Sequence, residues 1–145
     1  MIKPNNKLKN NIWNTYINSY ICDSQAMWSG PHADTLPLET PIHVITAHNS
    51  FEQRLPDDEN IRRNKSLYVE LSELHIYIKT VIGKSPSGDW QEESFAVHGL
   101  TREQACSIAR HFNQRGIFEI LEDELLVIEV NTQEIKGRRP RSIEI

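Results

Sequence analysis

Between His43 and Val130 the apolar residues change their spacing several times, and the order of those changes restricts what the chain can fold into. His43 to Ala47 is a short β-rich run. Pro56-Asp57-Asp58-Glu59 then opens a helix with acids in its first turn, where the positive end of the helix dipole favours them, and this helix is expected to run to about Leu74. His75 to Ile82 alternates in strand fashion, the segment GKSPSGD turns, and Glu92 to His98 alternates again. Leu100-Thr101-Arg102-Glu103-Gln104 has the form of a capping box, with Thr101 as N-cap and Gln104 three positions on. That helix should end near Asn113 with Gly116 as a left-handed cap. Two closing strands follow, Ile117 to Leu121 and Leu125 to Val130, joined at Glu122-Asp123-Glu124.

The order is β-α-β-β-α-β plus one strand. The matching expectation is an α+β, ferredoxin-like (split β-α-β) two-layer sandwich with an N-terminal helix and an extra C-terminal strand. The N-terminal helix is Leu8 to Tyr20, where Ile12, Trp13, Tyr16, Ile17 and Tyr20 recur every three or four residues. Ser29 to Pro41, with three prolines and a glycine, reads as an irregular connection. The expected organisation is therefore an N-terminal helix and connection (1–41), an α+β core (42–130) and a basic flexible tail (131–145).

At 145 residues, with 38% hydrophobic and 25% charged residues, the chain has the makings of one globular core. A net charge of -4 disfavours a broad nucleic-acid surface, which needs a concentrated excess of Lys and Arg. The basic stretch Lys136 to Arg141 is the one local exception. Cys22 and Cys106 show no metal-ligand spacing, and a disulfide framework is not expected. No apolar run reaches the length of a secretory core or of a membrane span, so the expectation is a cytoplasmic protein with no membrane partner.

Unusual polar residues concentrate in four stretches: Ile45 to Phe51, Glu59 to Asn64, Gly88 to Phe95 and Ala109 to Gly116. In the sandwich topology all four fall at one end of the sheet. Asn60 and Asn64 share a helical stripe with Leu67, Leu71 and Leu74, which turns their amides toward the sheet. Glu93 shares a strand face with Phe95 and Val97 and is expected to point the same way. A carboxylate held there needs donors, for which Asn60, Asn64, Arg63 and Gln114 are placed. The same groups would serve a buried structural network or a ligand site.

Sharper motifs fail on inspection. Gly83-Lys84-Ser85 lacks the upstream glycine of a phosphate-binding loop, with Ile78 in its place and a strand following. The six histidines form no zinc-binding pair. Glu92 and Glu93, as strand neighbours, point to opposite faces and cannot act as a facing acid/base pair. Ser94 lacks a nucleophile elbow. No cofactor and no reaction is indicated, and Glu93 is the one candidate catalytic carboxylate. His48 is a candidate proton carrier. Trp90 would close the core edge or cover the site.

The runs WNTYINSYIC, VITAHNS, ENIRRNKSLYVEL, IGKSPSGDWQEESFAVHGL and ARHFNQRGIFE, in this order over Ile12 to Val130, resemble a bacterial family designated only as a domain of unknown function, number 3293. The resemblance implies motif positions at Thr46, Ala47, Asn49, Asn60, Glu93, Ser94 and Gln114. Ser50 departs from the pattern, in which proline commonly follows the asparagine. The family brings no activity with it. The combined expectation is a protein that binds a small polar, nucleotide-like ligand through Thr46, Asn49, Asn60, Arg63, Asn64, Glu93, Ser94 and Gln114. The alternatives are a protein-interaction module using an exposed sheet face, and nucleic-acid contact through the sheet and the basic tail.

Overall fold

The computed structural model describes the backbone of residues 6–144 and the side chains of residues 12–144. The expectation that no secretory leader begins the chain falls partly on residues 1–5, outside the described part. Among the described residues three α-helices, α1 (Asn6–Ile17), α2 (Asp57–Ser72) and α3 (Arg102–His111), accompany nine strands. The strands are β1 (Tyr20–Cys22), β2 (Met27–Pro31), β3 (Ile42–Ile45), β4 (Tyr77–Lys84), β5 (Gln91–His98), β6 (Gly116–Ile120), β7 (Glu124–Glu129), β8 (Ile135–Pro140) and β9 (Ser142–Ile143).

The sheet runs β8-β7-β6-β3-β5-β4-β1-β2-β9. All pairings are antiparallel except β2 with β9. Its two ends, β8 and β9, are consecutive in the chain and separated by Arg141 alone, so one stretch of backbone joins both edges and nearly closes the sheet into a barrel. Arg141 clasps this seam. Its backbone N–H donates to the Asp123 carbonyl at 2.9 Å, its carbonyl accepts from Gly30 N–H at 3.0 Å, and its guanidinium donates to the carbonyls of Glu122, Trp28 and Asp34.

This overturns the ferredoxin-like two-layer sandwich. A two-layer arrangement leaves one sheet face to solvent, whereas here both faces are covered. On the outer face α2 and α3 bury Leu67, Leu71, Ala105, Ile108 and Ala109 against Ile45, Phe95, Val97, Ile117 and Ile128. On the inner face Trp13, Tyr16 and Ile17 of α1 pack against a second cluster that includes Val44, Ala96, Phe118, Ile120 and Val127. The strands carry this two-sidedness in their composition: β3 and β6 are buried at every position. Runs of that kind belong to sheets covered on both faces. The exposed sheet face invoked for protein or nucleic-acid contact is occupied by α1.

Three local expectations change as well. Asn113, at φ 56°, is the left-handed residue after α3, where its short polar side chain tolerates that conformation. Gly116 instead opens β6 and is small for another reason: a Cβ there would lie 2.9 Å from the Trp13 ring. The start of the expected connection, residues 29–31, belongs to β2, and residues 135–140 and 142–143 of the expected tail form β8 and β9. The basic stretch has work inside the fold. Arg139 donates to the Ile17 carbonyl at 2.6 Å and to the Ser19 carbonyl at 2.7 Å, closing the C-terminal end of α1, where cations are favoured. The capping box of α3 forms as expected, with both reciprocal bonds present.

Candidate functional site

The four polar stretches meet at one end of the sheet. Past β3 the chain passes through residues 46–56 into α2, and the amides expected to face the sheet do so by hydrogen bonding to this connection. Asn64 accepts from Ala47 N–H at 2.8 Å and donates to the Glu93 carbonyl at 2.8 Å. Arg63 donates through Nε to the Ala47 carbonyl at 2.7 Å and through its terminal nitrogen to the Phe112 carbonyl. Thr46 Oγ1 donates to the Glu93 carbonyl at 2.7 Å. Gln114 Nε2 donates to the His48 carbonyl at 2.9 Å. These bonds tie β3, β5, α2 and α3 together, and those of Asn64 and Gln114 satisfy side chains that burial would otherwise leave unpaired.

The connection itself is tightly wound. Asn49, Phe51 and Glu52 have φ of 48°, 50° and 62°, left-handed values that disfavour non-glycine residues. Anchors on both sides hold this shape. Phe51 N–H donates to the Asn113 carbonyl at 3.0 Å, Arg115 pairs with Glu52 at 3.0 Å, and the Arg115 guanidinium lies 5.7 Å from the centre of the Phe51 ring. Tyr16 reaches from α1 to donate to Glu52 Oε1 at 3.3 Å.

Between this connection, α1, the β4–β5 hairpin and the start of β6 lies a cavity of about 520 Å³. Tyr16, Asn49, Trp90, Glu92, Ser94 and Gln114 are among its lining side chains, with Val44 and Phe118 supplying apolar wall. Glu92 is the lining carboxylate that Asn49 holds. Asn49 Nδ2 donates to Glu92 Oε1 at 3.0 Å. The orientation of that amide is fixed from behind, since Asn49 Oδ1 accepts from Leu55 N–H at 2.9 Å and from Asn60 Nδ2 at 3.0 Å. Asn60 is held in turn by Asn49 N–H, which donates to Asn60 Oδ1 at 2.9 Å. Asn60, Asn49 and Glu92 thus form a directed relay from α2 into the cavity.

Burial pushes the Glu92 carboxyl up to about 7, assisted by the Glu52 charge and opposed by the hydrogen bonds from Asn49 and Trp90. Burial, followed by the charges of Glu52 and Glu92, raises the Tyr16 hydroxyl further above its ordinary value. His48, also in the lining, is held below its usual range chiefly by burial. A carboxyl that changes charge near neutral pH, inside a cavity with fixed hydrogen-bonding groups, is chemically able to anchor a donor or exchange a proton.

Of the residues singled out from sequence, Thr46, Asn49, Asn60, Ser94 and Gln114 line this cavity, while Arg63, Asn64 and Glu93 do not. Glu93 is exposed on the outer face, and only its backbone carbonyl joins the network. Its neighbour Glu92 takes the inward place because the alternation of β5 sends Glu92, Ser94 and Ala96 to the inner face. Tyr16, Glu52 and Glu92 escaped the sequence reading. The signal for Glu92 was present in the burial of β3 and β6 on both sides, which makes the inner face as much an interior as the outer one. Trp90 is half-buried in the cavity lining.

A family model described as Protein of unknown function (DUF3293) matches residues 45–117, half of the chain. The chain belongs to this family. The part shared with DUF3293 supplies most of the cavity lining, including Asn49, Asn60, Trp90, Glu92, Ser94 and Gln114. Ile12, Thr15 and Tyr16 of α1, with Ser19, Val44 and Phe118, supply the rest from outside it. No curated protein and no solved structure gives a significant match to this DUF3293 protein. No helix among the described residues is long and apolar enough to cross a membrane.

Proposed function

We propose that this DUF3293 protein binds a small polar ligand in the cavity beneath the connection from β3 to α2. The observation that carries the reading is the Asn60–Asn49–Glu92 relay, which aims a largely buried carboxyl into a space of about 520 Å³, room enough for a small organic molecule. Ser94 and Gln114 present further hydrogen-bonding groups, and Trp90 and Tyr16 offer aromatic surface. Thr46 and Asn60 serve the site by shaping it, and Arg63 and Asn64 by holding the connection in place. Glu93 is too exposed to be the anchor, a role that passes to Glu92. The acids of the lining suit the nucleoside part of a nucleotide-like molecule better than its phosphates.

The test is native mass spectrometry of freshly purified protein alongside Glu92→Gln. A retained small molecule in the unaltered protein, lost in the variant while its melting transition stays cooperative, supports the reading. Retention of the same molecule by Glu92→Gln refutes it.

A second reading, a protein-interaction module, is favoured by Ile61, Tyr68 and Val69, which stand about half exposed on α2 beside a groove that also includes Phe95. Partner binding there would survive Glu92→Gln and be lost on Tyr68→Ser. Nucleic-acid contact through the basic stretch is disfavoured by the commitment of Arg139 and Arg141 to backbone carbonyls.

A further inference from the structure

The geometry points to a ligand that carries a basic, N–H-rich group, such as an amidine, an amine or an amino-substituted heterocycle, seated against Glu92. The inference rests on the cavity being a ligand site and specifies what that site selects.

Three observations lead to it. The first is the balance of acceptors and donors on the wall. Gln114 is only 6% exposed, and its Nε2 faces two carbonyls, His48 at 2.9 Å and Phe112 at 3.4 Å, which fixes the amide with nitrogen toward the backbone. Its Oε1 is left with no hydrogen-bond donor among the described residues. The second is the state of Glu92. Asn49 occupies one of its oxygens and Trp90 adds a further hydrogen bond, yet a carboxylate can accept about four, so acceptor capacity is left over. The third is charge. Glu52, Asp57, Asp89 and Glu92 are acids of the lining, whereas Arg54 is its one fixed cation among the described residues.

Each of these rejects an anion and welcomes donors. A carboxylate or phosphate placed at Glu92 would meet a like charge in a water-poor space, whereas an amidinium would find a charge-assisted hydrogen bond at Glu92. Trp90 and Tyr16 add aromatic surface, which attracts cations and planar rings. The two apolar side chains Val44 and Phe118 suit a flat hydrophobic body behind the basic group.

The experiment uses two probes of the same size and opposite charge, benzamidine and benzoate. Each is titrated at pH 8 into the full chain by calorimetry and followed by amide chemical shifts. Benzamidine is expected to bind and to shift the amide signals of Ser94 and Gly116. Glu92→Gln, which keeps the shape of the side chain, should weaken it by about tenfold or more. Benzoate should not bind. Benzoate binding as well as benzamidine, or benzamidine binding equally to Glu92→Gln, overturns the inference. The chemical shifts of the unaltered protein decide the location without any variant: benzamidine signals elsewhere and none at Ser94 or Gly116 also overturn it. If mass spectrometry finds a retained, Glu92-dependent molecule that lacks a basic nitrogen, the cavity reading stands and this inference falls. If neither probe binds and nothing is retained, both fall.

Discussion

The position of Glu92 makes an unusual demand on stability, and Glu92→Gln tests it directly. In the fold the carboxyl sits at about 7 against an ordinary 4.5, with burial as the leading cause. Well below pH 4.5 the group is neutral in both folded and unfolded chains and contributes no pH dependence. As pH rises from 4.5 toward 7 the unfolded chain ionises first, so folding is opposed by a growing amount. Above 7 the opposition is complete. At about 1.4 kcal/mol per pH unit, a gap of that width corresponds to about 3 kcal/mol. Gln keeps the shape, still accepts the Asn49 hydrogen bond through its oxygen, and never ionises. Glu92→Gln should therefore be more stable than the unaltered protein by about 3 kcal/mol at pH 8.5 and by only about 0.8 kcal/mol at pH 5. Urea denaturation of both proteins at the two pH values measures this, provided the slopes agree. An equal difference at pH 5 and pH 8.5, or a variant less stable at pH 8.5, would refute the reasoning. A protein that keeps so destabilising a group in a cavity is expected to use it.

Three other perturbations follow from the fold. Glu119, buried beneath α3, receives Arg102 at 2.7 Å and His43 at 2.8 Å. Burial alone would raise it, but these partners outweigh burial and hold it at about 2. Its contribution, about 3 kcal/mol, is present above pH 4.5 and lost as pH falls toward 2, so acid denaturation of Glu119→Gln should lack that limb. Arg139→Met should destabilise by about 2 to 4 kcal/mol by stripping two charge-assisted bonds from the end of α1, with faster proteolysis near Asn18 as a second readout. Gly116→Ala should cost about 1 to 3 kcal/mol because its Cβ meets the Trp13 and Tyr16 rings; a thermal melt unchanged within error would mean that α1 sits less closely than described.

How much of this was legible in the sequence differs from element to element. The capping box at Thr101, the acidic start of α2 and the strand alternation of β4 and β5 are local signals, and local physics decides them. Membership of DUF3293 was also legible, through several short runs in a fixed order. The convergence of Asn49, Asn60, Ser94 and Gln114 came through because their elements neighbour one another in the sheet. The closure of that sheet did not. β1 and β9 have three and two residues, too few for any periodicity, and the basic composition of β8 hides a strand whose Arg139 binds backbone carbonyls. The exchange of Glu93 for Glu92 has the same origin: with α1 unplaced, only the helix-covered face looked like an interior.

The seam at Arg141 also bears on the order in which the molecule can assemble. The bond from Ser29 to the Arg141 carbonyl spans 112 residues, and contacts so distant in sequence form late because of the chain entropy they must overcome. Until that step, β7 and β2 both present unpaired edges. Such edges recruit other chains as readily as their own. The window between sheet formation and closure is thus the period of greatest exposure to aggregation, and a chain ending before Ile135 would remain in it permanently. One short stretch interrupted by an arginine acts as a latch, and its late engagement covers the edges of β7 and β2 and leaves only the outer sides of β8 and β9 unpaired.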